Sequence, residues 1–175
     1  MIRLYNILNE EVVKKVRIFD FDDTLVKTDS FVNITHRDGT KSKITPGDYA
    51  VYTPKPGDVF DFSAFDRVNN PKLIKKNVQM LRQQVKEGKK IIILTARSKF
   101  APVKTFFDRL NLTPYVVALG DSDPQKKADY VESLIKKGYS DIAFIDDSLK
   151  NVQAIDSLRY KYPKIKLVVQ HHQPT

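Results

Sequence analysis

The chain has 175 residues, enough for one domain with a buried core. Hydrophobic residues make up 41% and charged residues 29%, an ordinary globular balance, and the absence of cysteine excludes disulfides, thiolate zinc sites and cysteine nucleophiles. The net charge of +9 suits polyanionic partners such as nucleic acid, nucleotides or an acidic membrane face; because the lysines are spread along the chain, it equally suits a solvated surface.

No apolar run is long enough to span a bilayer, so no membrane partner is expected. Residues 1–15 lack the apolar core of a signal peptide, and a cytoplasmic location is the expectation. Residues 2–13 suit a surface helix with Leu4, Ile7, Leu8 and Val12 on one side. Residues 16–21 form a short apolar run ending in a cluster of acids. Four more such runs follow: Ile91, Ile92, Ile93 and Leu94; Val116, Val117, Ala118 and Leu119; residues 142–145; and Leu167, Val168 and Val169. Short β-branched runs of this kind are typical of buried parallel strands.

Helical patterns lie between these runs. Asn70 and Pro71 suit an N-cap and first-turn proline for a helix with Ile74, Val78, Leu81 and Val85 on one face, stopped by Gly88. Ser98 suits the cap of a helix carrying Val103, Phe106, Phe107 and Leu110, closed by Asn111. Asp123 and Pro124 open a third, with Ala128, Val131, Leu134 and Ile135 before Gly138, and a fourth follows Ser148 with Val152, Ile155 and Leu158. Alternating strand and helix predicts an α/β fold with a doubly wound parallel sheet.

Residues 27–70 interrupt that rhythm. Asp38-Gly39 predicts a hairpin between residues 31–35 and 43–45, and Pro46, Gly47, Pro54, Pro56 and Gly57 predict an irregular extended stretch. This reads as a β-hairpin flap inserted in a single domain spanning residues 1–175.

The acids stand where the first and fourth strands end: Asp20, Asp22 and Asp23, then Asp146 and Asp147. In an open parallel sheet, ligands bind beyond the carboxyl ends of the strands. Carboxylates gathered there repel one another and need a cation, and hard oxygen donors select magnesium. Of Asp20 and Asp22, one suits a nucleophile and the other a general acid/base. Thr24 offers a hydroxyl and backbone N–H groups to the same place. Thr95 and the amides after it, beginning at Ala96, suit a phosphate oxygen or a plain helix cap. Arg97 suits a bidentate grip on phosphate or a solvated position. Lys126 and Lys127 start the third helix, where one lysine can neutralise nucleophile and phosphoryl group together.

The run Phe19-Asp20-Phe21-Asp22-Asp23-Thr24-Leu25 resembles motif I of the haloacid dehalogenase (HAD) superfamily. Residues 91–95 resemble motif II, Lys127 before Ala128 resembles the motif III lysine, and Asp146-Asp147 resembles motif IV, with Asn151 suiting the helix after it. The resemblance runs over residues 16–169. It implies a Rossmann-like three-layer sandwich and a Mg2+-dependent phosphatase working through an aspartyl-phosphate. Asp20 would be the nucleophile and Asp22 the acid/base. Thr24, Thr95, Ala96, Arg97 and Lys127 would contact substrate. Asp20, Asp22 through its carbonyl, Asp146 and Asp147 would hold the metal. Position 23 is often glycine in the family and is Asp23 here.

The short insertion predicts an open site that admits a nucleotide or a nucleic-acid end. Arg97 with the Asp146-Asp147 pair resembles the phosphatase domain of polynucleotide kinase/phosphatases, which implies 3′-phosphate removal without a kinase P-loop. Compact HAD proteins of tailed phages are a further resemblance. Tyr49, Tyr52, Phe60 and Phe62 suit base stacking or packing of the insertion. His36, His171 and His172 read as exposed loop residues. The alternatives to an enzyme are a HAD-fold nucleic-acid-binding module, or an assembly protein making contact through its N-terminal segment.

Overall fold

A computed structural model describes residues 12–173. The predicted helix over residues 2–13 lies outside the described residues apart from its last two.

Five strands form one parallel sheet in the order β10-β9-β1-β7-β8: β1 (Lys14–Phe19), β7 (Lys90–Thr95), β8 (Tyr115–Ala118), β9 (Tyr139–Asp146) and β10 (Lys166–His171). These are the five apolar runs of the sequence. Side chains alternate across the sheet, which divides the core in two. Ile92 and Leu94 of β7 face one side with Val16, Ile18, Ile142 and Phe144; Ile91 and Ile93 face the other with Phe19 and Ile145. Helices α4 (Pro124–Lys136), α5 (Leu149–Asp156) and α6 (Leu158–Lys161) cover the first face with Ala128, Val131, Leu134, Ile155 and Leu158. Helices α2 (Lys75–Lys86) and α3 (Ala101–Arg109) cover the second with Val78, Leu81, Val103 and Phe107. The result is a Rossmann-like α/β architecture. No helix among the described residues is long and apolar enough to cross a membrane.

The chain runs from β1 outward to β7 and β8, then crosses to β9 and β10 on the other side of β1. The order therefore reverses between β1 and β9, which opens a crevice at their carboxyl ends.

Several helix boundaries differ from expectation. Helix α2 starts at Lys75, not at Pro71: Lys72–Leu73 forms β6, paired antiparallel with β2 (Val26–Lys27), and Asn70 has φ +44. A strand pairing overrides the local proline signal. Val85 lies 43% exposed at the end of α2. Ser98 does not cap α3, whose N-cap is Phe100 with no side-chain bond. By contrast, Asp123 accepts from the Gln125 N–H and Ser148 from the Asn151 N–H, as N-cap side chains do. Ser157 breaks the fourth expected helix into α5 and α6.

The β2–β6 pair closes the base of the insertion, and Asn70 Nδ2 donates to Asp29 Oδ2 at 2.8 Å across it. Inside, β3 (Val32–Thr35) and β4 (Lys41–Ile44) form the expected hairpin, and β5 (Val59–Asp61) adds a third antiparallel strand on β3. The proline-rich stretch is not wholly irregular. It contains the helix α1 (Pro46–Val51), with Thr45 Oγ1 accepting from the Asp48 N–H and a proline in its first turn. His36 is not a free loop residue: its Nδ1 lies 2.7 Å from Asp58 Oδ1 and its Nε2 2.9 Å from Ser42 Oγ.

Candidate active site

Asp20 is the first residue after β1, and its N–H bonds the Ile145 carbonyl of β9 at 3.0 Å. Asp146 is the last residue of β9. Adjacent parallel strands in this register bring the two carboxylates together without any long loop. The chain then turns tightly: the Asp23 N–H bonds the Val26 carbonyl, and the Leu25 N–H bonds the Phe21 carbonyl. Asp23 sits at φ +58, a left-handed conformation that glycine enters freely and aspartate tolerates better than most residues. That is the physical reason a glycine suits this position.

Lys127, from the first turn of α4, lies between the two carboxylates. Its Nζ donates to Asp20 Oδ1 and to Asp146 Oδ2, both at 2.7 Å. Lys127 is buried whereas Lys126 is exposed, so Lys127 is the lysine that reaches the crevice. Burial alone would lower the Lys127 pKa, but Asp20 and Asp146 outweigh it and hold the ammonium above its ordinary value. Asp146 also accepts from the Ser148 N–H at 2.8 Å and from Asn151 Nδ2 at 3.0 Å.

Burial, followed by the neighbouring Asp146 and Asp147 charges, pushes the Asp20 carboxyl well above the ordinary range; Lys127 opposes this. Asp147 is pushed up to about 7 by burial and by Asp146 and Asp23. One oxygen each from Asp20, Asp146 and Asp147 fall within 4.8 Å of one another. Three hard anionic donors at this separation, carrying more negative charge than Lys127 neutralises, fit a divalent cation.

Thr24 does not reach the crevice from the substrate side. It is fully buried behind Asp20, where its hydroxyl donates to Asp20 Oδ2 at 2.8 Å and accepts from the Asp147 N–H at 3.0 Å. Its own N–H turns back to the Phe21 carbonyl at 3.4 Å. Thr95, the last residue of β7, is buried at the crevice wall beside Ala96, and its hydroxyl accepts from the Arg97 N–H at 3.2 Å.

Arg97 is neither solvated nor free to grip phosphate. Nε and Nη2 form a fork on Asp22 at 2.8 and 2.7 Å. Nη1 donates to the carbonyls of Phe65 and Arg67 at 2.9 and 2.7 Å, and Nη2 reaches Ser30 Oγ at 3.5 Å. All five guanidinium N–H groups are thereby committed. The guanidinium lies between the Phe21 and Phe65 rings, 5.4 and 5.3 Å from their centroids. Both Asp22 oxygens accept from Arg97, so delivering a proton elsewhere requires Asp22 to swing off the guanidinium.

Two positioning residues escape a motif-based reading. Asn77 of α2 is buried and donates to the Thr24 carbonyl at 2.8 Å, bracing the turn that carries Asp20 and Asp22. Its signal was a polar residue within the stripe formed by Ile74, Val78 and Leu81. His171 is not a stray terminal residue: it pairs with Asp146 in register, and its Nε2 lies 2.8 Å from the Asp147 carbonyl. His172 donates its N–H to the Asp146 carbonyl.

A cavity of about 600 Å³ opens over these groups. The insertion contributes Tyr49, Phe62 and Phe65 to its lining, and Asp121 and Asp123 line it as well.

No family model matches the chain, and no curated protein matches it. Among solved structures the chain is similar to a hypothetical protein from Xanthomonas campestris, at 18% identity and a TM-score of 0.39. That match covers 89% of this chain and 62% of the other, so this chain spans under two thirds of that protein's length.

Proposed function

We propose that this protein is a magnesium-dependent phosphohydrolase of the HAD type that cleaves phosphate monoesters. The observation that carries the reading is the Lys127 ammonium at 2.7 Å from both Asp20 and Asp146, in a cavity also lined by Asp22, Thr95 and Asp147. A buried cation between carboxylates is a poor device for stability alone. It suits a site where a dianionic phosphate must approach an anionic nucleophile.

In this reading an Asp20 oxygen attacks phosphorus, the phosphorus–alkoxide bond breaks, and Asp22 gives its proton to the departing alkoxide. Water then attacks the acyl-phosphate while Asp22 takes its proton, releasing orthophosphate and restoring Asp20. Lys127 opposes the effect of burial on the Asp20 charge and shares the phosphoryl charge, and Thr95 supplies a hydroxyl to a phosphoryl oxygen. Asp20, Asp146, Asp147 and the Asp22 carbonyl would hold magnesium, which supplies charge screening. The insertion acts as a short flap that leaves the cavity open.

Hydrolysis of para-nitrophenyl phosphate tests the reading. Turnover should require magnesium and disappear in Asp20→Asn; undiminished turnover in that variant removes Asp20 as nucleophile.

A further inference from the structure

Resting on the phosphohydrolase reading, the cavity also carries information about what the phosphate is attached to. Its walls differ sharply in chemistry. Among the described residues, seven aspartates line it, against three cationic side chains, Arg97, Lys127 and Lys150. The protein's net charge of +9 is therefore not expressed inside its crevice. Of the three cations, Arg97 has every N–H committed, to Asp22, two backbone carbonyls and Ser30. Lys127 is held between Asp20 and Asp146. Only Lys150 remains, its amine 3.4 Å from the Ala50 carbonyl. The cavity thus provides for one phosphate and is poorly equipped for a second.

The insertion wall is aromatic instead. Tyr49 meets Phe62 edge to face at 5.2 Å and Phe60 at 5.5 Å, so its ring is fixed by its neighbours. Phe62 lines the cavity and is 44% exposed, although Phe60 stacks on it at 6.4 Å and Tyr49 packs against it. Phe65 is already occupied by the Arg97 guanidinium and is not available in the same way. Aromatic side chains held in place by neighbours, with part of the ring exposed, are contact surfaces for flat rings. Asp121 and Asp123 each accept a backbone N–H on one oxygen, from Asp123 and Gln125; the second oxygen of each, an acceptor when ionised, suits a sugar hydroxyl and repels a further anion. A volume of about 600 Å³ is well beyond what a bare phosphate fills and is ordinary for a ligand of several rings.

We infer that the substrate is a nucleoside monophosphate unit, with its phosphate on Asp20 and Lys127 and its base against the exposed part of the Phe62 ring, beside Tyr49. A free mononucleotide and the terminal nucleotide of an oligonucleotide present the same unit. Nucleoside di- and triphosphates do not match the crevice.

The test compares kcat/KM, with magnesium, for adenosine 3′- and 5′-monophosphate, adenosine diphosphate, glycerol 2-phosphate, a phosphotyrosine peptide and oligonucleotides ending in a 3′- or 5′-phosphate. A nucleoside monophosphate or an oligonucleotide end should exceed glycerol 2-phosphate by at least about tenfold, a modest return for one stacked base. That ratio should fall about tenfold in Phe62→Ala and in Tyr49→Ala, variants whose folding is checked by circular dichroism. A mononucleotide matching the oligonucleotide identifies the free nucleotide as source; a salt-sensitive preference for the oligonucleotide identifies the chain end. A ratio unmoved by both variants, a preference for the phosphotyrosine peptide, or equal use of adenosine diphosphate overturns the inference. Calorimetric binding of adenosine monophosphate to Asp20→Asn, and its weakening about tenfold by added Phe62→Ala, decides the point separately from turnover. If none of these phosphate esters is hydrolysed, the phosphohydrolase reading fails while the binding result still stands or falls alone.

Discussion

Replacing Arg97 by alanine would remove a guanidinium whose side chain is 1% exposed and leave Asp22, at 17% exposure, without its fork. Breaking a buried ion pair by removing one partner costs about 3–5 kcal/mol. Water reaches one side of Asp22, which places the expected loss toward the lower end, about 3 kcal/mol. The carbonyls of Phe65 and Arg67 would also lose their donor. For a protein of this size each kcal/mol moves the melting temperature by roughly 2–4 °C, so Arg97→Ala should melt roughly 6–12 °C lower. Arg97→Lys retains the charge but not the planar fork and should recover only part of the loss. Thermal unfolding by far-UV circular dichroism gives the stability, and limited proteolysis within residues 28–71 reports whether the insertion has loosened. The double variant Asp22→Asn/Arg97→Ala should lose less than the two single losses added together, because the pair acts as a unit. A loss below about 1 kcal/mol in Arg97→Ala, the value of an exposed pair, would refute the argument.

Lys127→Met should destabilise by about 3–5 kcal/mol, since two buried carboxylates lose their counter-ion, whereas Lys126→Met should stay within about 0.5 kcal/mol; urea unfolding of both checks the contrast. Saturating magnesium at about a hundred times its dissociation constant should add about 2.7 kcal/mol of stability, read as a rise in melting temperature, and Asp146→Asn should abolish it. Asp23→Gly should leave stability unchanged or raised, while Asp23→Val should lose about 1–2 kcal/mol, because φ +58 is open to glycine and strained for a β-branched residue. The Lys55 N–H, with His36 and Tyr52, holds the Asp58 carboxyl down to about 2. A depressed carboxylate stabilises fully above its ordinary value and is lost on acidification, so the hairpin contacts of His36 should persist at pH 5 and vanish as pH falls from about 4 through 2. NMR shifts of His36 follow this, and Asp58→Asn should remove the pH step.

The parallel sheet was legible because its central strands are buried on both faces and so read as continuous β-branched runs; Ile91, Ile92 and Ile93 needed no context to declare themselves, and the edge strands β8 and β10 keep such runs although Val168 is 52% exposed. Asp123, Asn111 and Gly138 were equally legible, since caps and left-handed stops act within a turn of their own position. The insertion was read only in part. Its helix at Pro46 carries a Thr45–Asp48 capping pair, a signal overshadowed by the surrounding prolines and glycines. The start of α2 went to Lys75 because Lys72 and Leu73 pair with residues more than forty positions earlier, which local sequence does not encode. Among the candidate site residues, Asp20, Asp146 and Lys127 were anticipated together from strand ends and a helix start, and those elements do bring them together. The partners of Arg97 were not anticipated, since two of them are backbone carbonyls that carry no signature of residue type. Thr24 shows the same limit: its hydroxyl was anticipated near Asp20, but the side of Asp20 on which it lies depends on the whole turn.

The strands β1, β7 and β9 that carry Asp20, Thr95 and Asp146 each have a hydrogen-bonded neighbour on both edges. Exposing their amides to solvent therefore requires the entire sheet to separate, and their deuterium uptake should follow global unfolding. The insertion is joined to the sheet domain by a two-residue pair at its base and by side chains such as Arg97. Its amides should take up deuterium sooner, as a separate cooperative unit. Breathing of the molecule would then vary the aperture of the crevice while the spacing of its acids stayed fixed.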